Sequence, residues 1–124
     1  MIDEVCIEVC GPPPFMLGGS KRRSAKSQKA EAAERLRETL ELELKRLGGV
    51  EDGYWRPWNL RTGSYALEIE FCRNGSTRDP ANIIGEVANL LQGILYDDDS
   101  QVKEIQYRER QEEEERYRIA VKRM

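Results

Sequence analysis

The sequence predicts a small α+β domain in which two helices pack on one mixed β-sheet, in the order β-α-β-α-β-β. Apolar residues alternate with polar ones at 2–10 and again at 65–72, which is the period of a β-strand. They recur every three or four positions at 24–47 and 80–92, which is the period of a helix. Alternation returns after residue 101 and is interrupted by glutamates at 112–115, which predicts two final strands joined by an exposed turn. The length of 124 residues fits one domain, 1–124, with a single core.

The first half of the chain is predicted to form a strand and a long helix. The strand at 2–10 ends where Gly11 begins a run of prolines, because proline lacks the N–H that a strand ladder needs. The helix at 24–47 carries a stripe of leucines on one face and ends at Gly48-Gly49. We expect the stripe to pack on the sheet, and a helix-mediated dimer is the alternative.

The segment from Val50 to Gly63 contains both tryptophans, Trp55 and Trp58, around Pro57. It is interpreted as a loop or a short edge strand. We expect the aromatic rings to cover an edge of the core. Stacking on opened nucleic-acid bases is the alternative.

The second half begins with the strand at 65–72, followed by a polar turn and a helix from about Pro80 to Gln92. Asp79 and Pro80 are typical of a helix start, because aspartate caps free N–H groups and proline suits the first helical position. The predicted apolar face of this helix consists of Ile83, Ile84, Val87, Leu90 and Leu91.

Composition excludes several kinds of chemistry. The chain contains no histidine, and its three cysteines form no Cys-x-x-Cys pair, so zinc sites and histidine acid–base catalysis are not expected. Any hydrolytic activity then depends on carboxylates, lysine, arginine or a bound metal. No apolar run is long enough to cross a membrane and no signal-peptide pattern is present, so we expect a cytoplasmic location.

Charge is abundant but balanced, with 20 basic and 23 acidic residues. A nucleic-acid-binding domain is usually basic overall, so the local distribution matters more than the total. Basic residues cluster around the start of the first helix, and two arginines flank the turn before Asp79. An exposed, solvated stretch is the alternative interpretation of the basic cluster. The candidate DNA contacts are Lys21, Arg22, Arg23, Lys26, Lys29, Arg73 and Arg78.

Acidic residues lie on both sides of the second helix. Asp79 precedes it, and Asp97, Asp98 and Asp99 follow it. If the chain folds back so that these residues meet, their carboxylates provide the oxygen ligands that a hard divalent cation requires. Taken one by one, the alternatives are a helix cap at Asp79 and a solvated turn at 97–99.

The order and spacing of these residues resemble the RusA family of Holliday-junction resolvases. The family pattern begins with Asp-x-Asp-Asn at a helix start and a lysine three residues later. It continues with an Asp-Ala-Leu-Asn-Gly-like run and ends with Asp-Asp-x-Gln-Val. The resemblance covers most of the chain, although only residues 79–102 are specific. The matching residues are Asp79, Asn82, Gly93, Tyr96, Asp98, Asp99, Gln101 and Val102.

The resemblance implies a bacterial or phage endonuclease, a hydrolase of DNA recombination and repair. In this family a homodimer binds a four-way DNA junction and cuts it symmetrically with Mg²⁺. By position, the resemblance implies that Asp79 and Asp99 are metal ligands, with Asp98 beside Asp99 in the catalytic site.

Three positions depart from the family pattern. Ala81 replaces its second aspartate, Gly85 its lysine and Asn89 its later helical aspartate. A methyl group cannot bind Mg²⁺ and glycine carries no charge, so we expect cleavage to be reduced or lost. Three explanations stay open: a non-cleaving relative, a substitute carboxylate from Glu86 or, behind it, Glu70, and an introduced change at Ala81. Gly85 within a helix also indicates close backbone packing, with a contact between subunits as one place for it.

Overall fold

The fold is an α+β arrangement of two helices on a four-stranded sheet, as predicted. It is seen in a computed structural model that describes residues 2–14, 23–52, 54–58, 62–74 and 79–124, with positions 23–29 and 54 described by their backbone only. A single 3-10 turn, Asp99–Gln101, precedes β5. The elements are β1 (Glu4–Cys10), α1 (Arg23–Leu47), β2 (Val50–Glu51), β3 (Tyr54–Trp55), β4 (Tyr65–Arg73), α2 (Pro80–Leu91), β5 (Val102–Gln111) and β6 (Arg116–Arg123).

The observed order adds a short hairpin, made of the two-residue strands β2 and β3, to the predicted β-α-β-α-β-β order. Val50 pairs with Trp55 and Glu51 pairs with Tyr54. The hairpin lies inside the segment interpreted as a loop or short edge strand. Trp58 follows it, and its Nε1 donates a 2.7 Å hydrogen bond to the carbonyl of Ile2. The hairpin therefore brings aromatic rings against the beginning of β1.

The main sheet has the strand order β1-β6-β4-β5. β6 runs antiparallel to both of its neighbours, whereas β4 and β5 are parallel. β1, β4 and β5 consequently point the same way. We call the end of the sheet where these three strands finish the carboxyl end, and the opposite end the amino end.

One face of the sheet, here called the covered face, lies beneath both helices. Its strand residues join the leucine stripe of α1 and the apolar side of α2 in one hydrophobic core, which confirms that the leucine stripe packs on the sheet. The other face, the open face, carries most of the charged strand residues. The core includes Val5, Ile7 and Val9 from β1, Leu67, Ile69 and Phe71 from β4, and Tyr117, Ile119 and Val121 from β6.

Helix α2 connects two neighbouring parallel strands, and this fixes its direction. A parallel pair needs a crossover that returns the chain to the end where the first strand began. α2 therefore begins at the carboxyl end, after Arg73, and returns to the amino end before Val102. This direction decides where the candidate acidic residues lie.

Candidate metal and DNA-binding site

Asp79 caps the first turn of α2 at the carboxyl end of the sheet. Its backbone is extended, with φ −66° and ψ 112°, and its Oδ1 accepts a 3.0 Å hydrogen bond from the backbone N–H of Ala81. The residue is exposed. The predicted capping role is confirmed, and only one carboxylate oxygen is used by the bond to Ala81.

Asp98 begins the turn that leads into β5 at the amino end. Its Oδ1 accepts a 3.3 Å hydrogen bond from the N–H of Ser100, while the Oε1 of Gln101 accepts from the N–H groups of Asp97 and Asp98 at 2.9 and 2.8 Å. The Nε2 of Gln101 donates to the carbonyl of Gly63 at 2.8 Å. The hydrogen bonds from Ser100 hold the pKa of the Asp98 carboxyl below its ordinary value. The run of aspartates is thus an ordered turn with exposed carboxylates.

Asp99 is attached to the far end of the helix that Asp79 begins. Its N–H donates a 3.1 Å hydrogen bond to the Oε1 of Gln92, the residue that caps the C-terminus of α2. Twelve helical residues separate the two caps, which corresponds to about 18 Å of helix. The prediction that Asp79 approaches Asp98 and Asp99 by folding back is therefore wrong within one chain. The parallel crossover places them at opposite ends of the sheet.

A two-carboxylate Mg²⁺ site between Asp79 and Asp99 does not fit a single chain. Each end of α2 offers exposed carboxylates with free oxygens, which are suitable ligands for a hard cation, but not within reach of the same ion. Among the described residues, no group of three or more histidine, cysteine, aspartate or glutamate side chains is placed to hold a metal. A Mg²⁺ ion at either end of α2 therefore requires ligands that the other end of the same helix cannot provide.

The proposed substitutes for the missing carboxylate lie in different surroundings. Glu86 is half-buried on α2, two turns beyond Asp79, which corresponds to about 10 Å along the axis. Glu70 lies on the open face, where it makes an ion pair with Arg110, so the sheet separates it from α2. Glu70 is therefore excluded as a substitute for Ala81, because it faces the opposite side of the sheet.

Gly85 lies on an exposed part of α2. A Cβ added there meets no atom within 4 Å among the described residues, and the residue is exposed. Close packing at this glycine is therefore not found among the described residues of one chain, and the contact between subunits stays a prediction. Ala81 is exposed as well. Asn89 is exposed too, so all three departures from the family pattern occupy open surface at one side of the helix.

The candidate DNA contacts are only partly described. Lys21, Arg22 and Arg78 lie outside the described residues, and Arg23, Lys26 and Lys29 belong to the first turns of α1, where the backbone alone is described. Arg73 is described, and its Nε lies 2.5 Å from the Oε1 of Glu109. That carboxylate offsets its charge. The predictions for the other six residues stay predictions.

The beginning of α1 nevertheless lies toward the carboxyl end of the sheet. A Cβ added at Gly11, just after β1, would approach the guanidinium of Arg35 to 2.7 Å, so this part of the helix lies beside the end of β1. The backbone of Arg23 lies twelve residues earlier, about 18 Å further along the helix axis. The start of α1 and Asp79 therefore lie toward the same end of the sheet.

Both tryptophans are buried, with exposed fractions of 4% for Trp55 and 3% for Trp58. Their rings meet edge to face at 6.1 Å, and Trp58 also packs against Tyr65 at 5.3 Å. Buried rings have no free face on which a base can stack. The expectation that they cover an edge of the core is confirmed, and stacking on opened bases is excluded.

Sequence reasoning missed the charge pattern of the open face. Acidic residues of β1 and β4 alternate, strand by strand, with basic residues of β6 and β5. The signal was present as charges at every second position, but their neighbours depend on a strand order that the sequence does not give. The four rows contain Glu4 and Glu8, then Arg116, Arg118 and Lys122, then Glu68 and Glu70, then Arg108 and Arg110, with Glu104 at the start of this last row as the exception.

Comparisons with known proteins add no assignment. The sequence matches no protein-family model, and no curated protein matches it. Among the described helices, neither α1 nor α2 has the length and apolar character needed to span a membrane. The functional interpretation consequently depends on the residues and their geometry.

Proposed function

We propose that the protein is a RusA-like, junction-binding homodimer whose Mg²⁺-dependent cleavage of four-way DNA requires carboxylates from two chains. The observation that carries this proposal is the position of the family-like residues on one β4-α2-β5 unit. They form two exposed acidic caps, one at each end of the same helix. A dimer that places one cap beside the other cap of its partner combines Asp79 of one copy with Asp99 of the second.

The basic stretch supports the DNA part of the proposal. Three of its residues, Arg23, Lys26 and Lys29, belong to the first turns of α1, and the backbone there lies toward the carboxyl end of the sheet, the end at which Asp79 lies. Lysine and arginine side chains that neutralise phosphates make binding strongly dependent on salt. When bound, Mg²⁺ supplies charge stabilisation and lowers the pKa of a coordinated water. Asp79, Asp98 and Asp99 are the residues of this chain that contribute oxygens.

Binding is tested with a synthetic four-way junction and a linear duplex of the same sequence. We expect tighter binding of the junction at low salt, and a loss of affinity when Arg22 and Arg23 are both replaced by alanine. Arg46→Ala is the matched control, because it removes a charge at the other end of α1, where Arg46 pairs with Glu43. No junction affinity at low ionic strength would remove the DNA proposal.

Cleavage is tested by restoring the family pattern with Ala81→Asp plus Gly85→Lys. Both positions are exposed, and the space around Gly85 accepts a side chain, so the fold should tolerate the change. We expect junction nicking with Mg²⁺ to rise in this variant. No nicking by either protein would remove the enzyme claim.

A complementation experiment in the restored background tests whether two chains share each site. Chains carrying Asp79→Ala and chains carrying Asp99→Ala are inactive alone. In a mixed dimer one intact site re-forms only if the two aspartates come from different copies. Recovery of nicking on mixing supports the shared site, and persistent inactivity contradicts it.

A catalytically silent junction-binding or protein-binding protein on the same fold is the second candidate. The exposed methyl group of Ala81 at the start of α2 favours it, because the position that carries a ligand in the family pattern offers none. Junction binding that persists without metal, with no nicking in any variant, is the result that identifies this function.

A further inference from the structure

β5 is an outer strand of the sheet. It pairs with β4 along one side, and no described strand pairs with its other side. It is ten residues long and most of its residues are exposed. A long edge strand with unpaired backbone groups is a template for another strand.

The same strand exposes apolar surface. Ile105 lies on the side of the sheet that the helices cover elsewhere, yet 48% of it is exposed. Tyr107, two residues along the same side, is half-buried. The helices therefore do not cover the outer part of this face at β5.

The sequence of β5 is complementary to itself when the strand is turned about Gln106. Directly opposite residues in an antiparallel pair lie on the same face of the sheet and interact. A copy turned about Gln106 places Lys103 opposite Glu109, and Glu104 opposite Arg108. It also places Ile105 opposite Tyr107, which is a favourable aromatic and β-branched pair.

We propose that two copies of this chain pair antiparallel along β5 to form a continuous eight-stranded sheet. The two-fold axis lies midway between the two copies of Gln106. A two-fold axis perpendicular to the sheet keeps both pairs of helices on the same side, and gives the self-complementary interface of a symmetric dimer. Charges on an edge strand ordinarily discourage pairing. In this register Glu104 and Arg108 of each copy meet an opposite charge, and Lys103 lies opposite Glu109, which also pairs with Arg73 in its own chain.

The other edge of the sheet does not offer the same match. β1 carries two acidic residues in its seven positions, Glu4 and Glu8. It has no basic residue, so no antiparallel register of two β1 strands gives an opposite-charge pair, and turning one copy about Cys6 sets the two glutamates against each other. The second copy is therefore assigned to β5.

The pairing has a consequence for the acidic caps, and this consequence rests on the proposed function. The two-fold axis brings the amino end of one copy beside the carboxyl end of the other. Asp99 of the second copy, just before its β5, then lies at the end where Asp79 begins α2. The dimer thereby supplies the two acidic groups that a single chain keeps apart.

The test measures the dimer dissociation constant by analytical ultracentrifugation, without DNA or metal. We expect a dimer for the wild type at micromolar concentration. Glu104→Arg and Arg108→Glu each create two like-charge contacts per symmetric dimer, and each should raise Kd on the order of ten-fold or more. Mixed in equal amounts, the two variants face each other with opposite charges, and the mixture should return to nearly the wild-type Kd.

Lys122→Glu is the matched control, since it reverses a charge on the same face in β6, an inner strand. It should leave Kd unchanged, and circular dichroism should show that all variants are folded. A monomeric wild type, single variants that dimerise like the wild type, or a mixture that fails to associate would each overturn the proposal. A confirmed β5 dimer without junction affinity would instead reject only the proposed function.

Discussion

One face of the sheet packs beneath two helices, whereas the other face of the same strands extends its side chains into solvent. Along β4, Leu67, Ile69 and Phe71 are buried, and the residues between them, Glu68 and Glu70, are half-buried on the open face. Because successive side chains of a strand point to opposite faces, neighbouring residues of β4 belong to two different kinds of surface.

The two faces contribute differently, the covered face to stability and the open face to recognition. Burial of apolar area stabilises the covered face, at roughly 25 cal/mol for each Å² removed from water. The ion pairs of the open face are solvated and contribute little to stability. Their pattern matters instead for what can approach the sheet.

The largest expected difference comes from two neighbouring residues of β4. Phe71→Ala should lower the free energy of unfolding by about 3–5 kcal/mol, because it leaves a cavity in a fully buried position. Glu70→Ala, one residue away on the open face, should change it by about 1 kcal/mol or less. Urea unfolding measures both. Similar losses would contradict the distinction between the faces.

The second-largest effect is expected at alkaline pH, which should lower the free energy of unfolding through tyrosines of the core. Burial raises the pKa of the Tyr96 and Tyr117 hydroxyls, so the folded state keeps protons that the unfolded state loses. The stability from these groups is fully present below about pH 10, and it is lost above that at roughly 1.4 kcal/mol per pH unit for each tyrosine. Urea unfolding between pH 8 and 11 should show the fall. The double variant Tyr96→Phe plus Tyr117→Phe should make the fall shallower without removing it, because burial also raises the pKa of Tyr65 and Tyr107. An unchanged slope would reject the assignment.

The same two tyrosines should respond oppositely to loss of their hydroxyl groups at neutral pH. Tyr96 donates a 2.5 Å hydrogen bond to the carbonyl of Ala88, so Tyr96→Phe should destabilise by about 1 kcal/mol. The Tyr117 hydroxyl is buried without a partner among the described residues, so Tyr117→Phe should be neutral or stabilise by about 1 kcal/mol. Thermal unfolding distinguishes the signs. Equal losses would show that Tyr117 has a partner.

The smallest effect is expected for the ion pair between Glu70 and Arg110 on the open face. Exposed fractions are 30% for the Glu70 side chain and 59% for the Arg110 side chain. A double-mutant cycle with alanine should give a coupling energy below about 1 kcal/mol, reduced further by high salt. A coupling several times larger would show that this face contributes to stability as the covered face does.

The elements of the fold were predictable because their periods are local. Alternation in β1, β4 and β6 and the leucine stripe of α1 required only neighbouring residues. The hairpin β2–β3 was not resolved as a separate element, because two-residue strands contain too few positions to show a period. Partners across the sheet, such as Arg110 for Glu70, depend on strand order, which no local pattern contains.

The candidate site was predictable in its parts but not in its assembly. Asp79 as a helix cap follows from its position before Pro80, and it is confirmed. Its meeting with Asp99 failed because a helix between two parallel strands carries the chain from one end of the sheet to the other. A strand, a helix and a strand in succession already favour that crossover. That crossover by itself places Asp79 and Asp99 at opposite ends of the sheet.

Gln101 shows that a family-like residue can be required by folding alone. Its amide accepts from two backbone N–H groups of the aspartate turn and donates to Gly63, across the start of β4. A glutamate of the same length keeps the acceptor and loses the donor. Part of the likeness to the family pattern therefore has a structural cause, because this turn needs Gln101 whether or not the chain cleaves DNA.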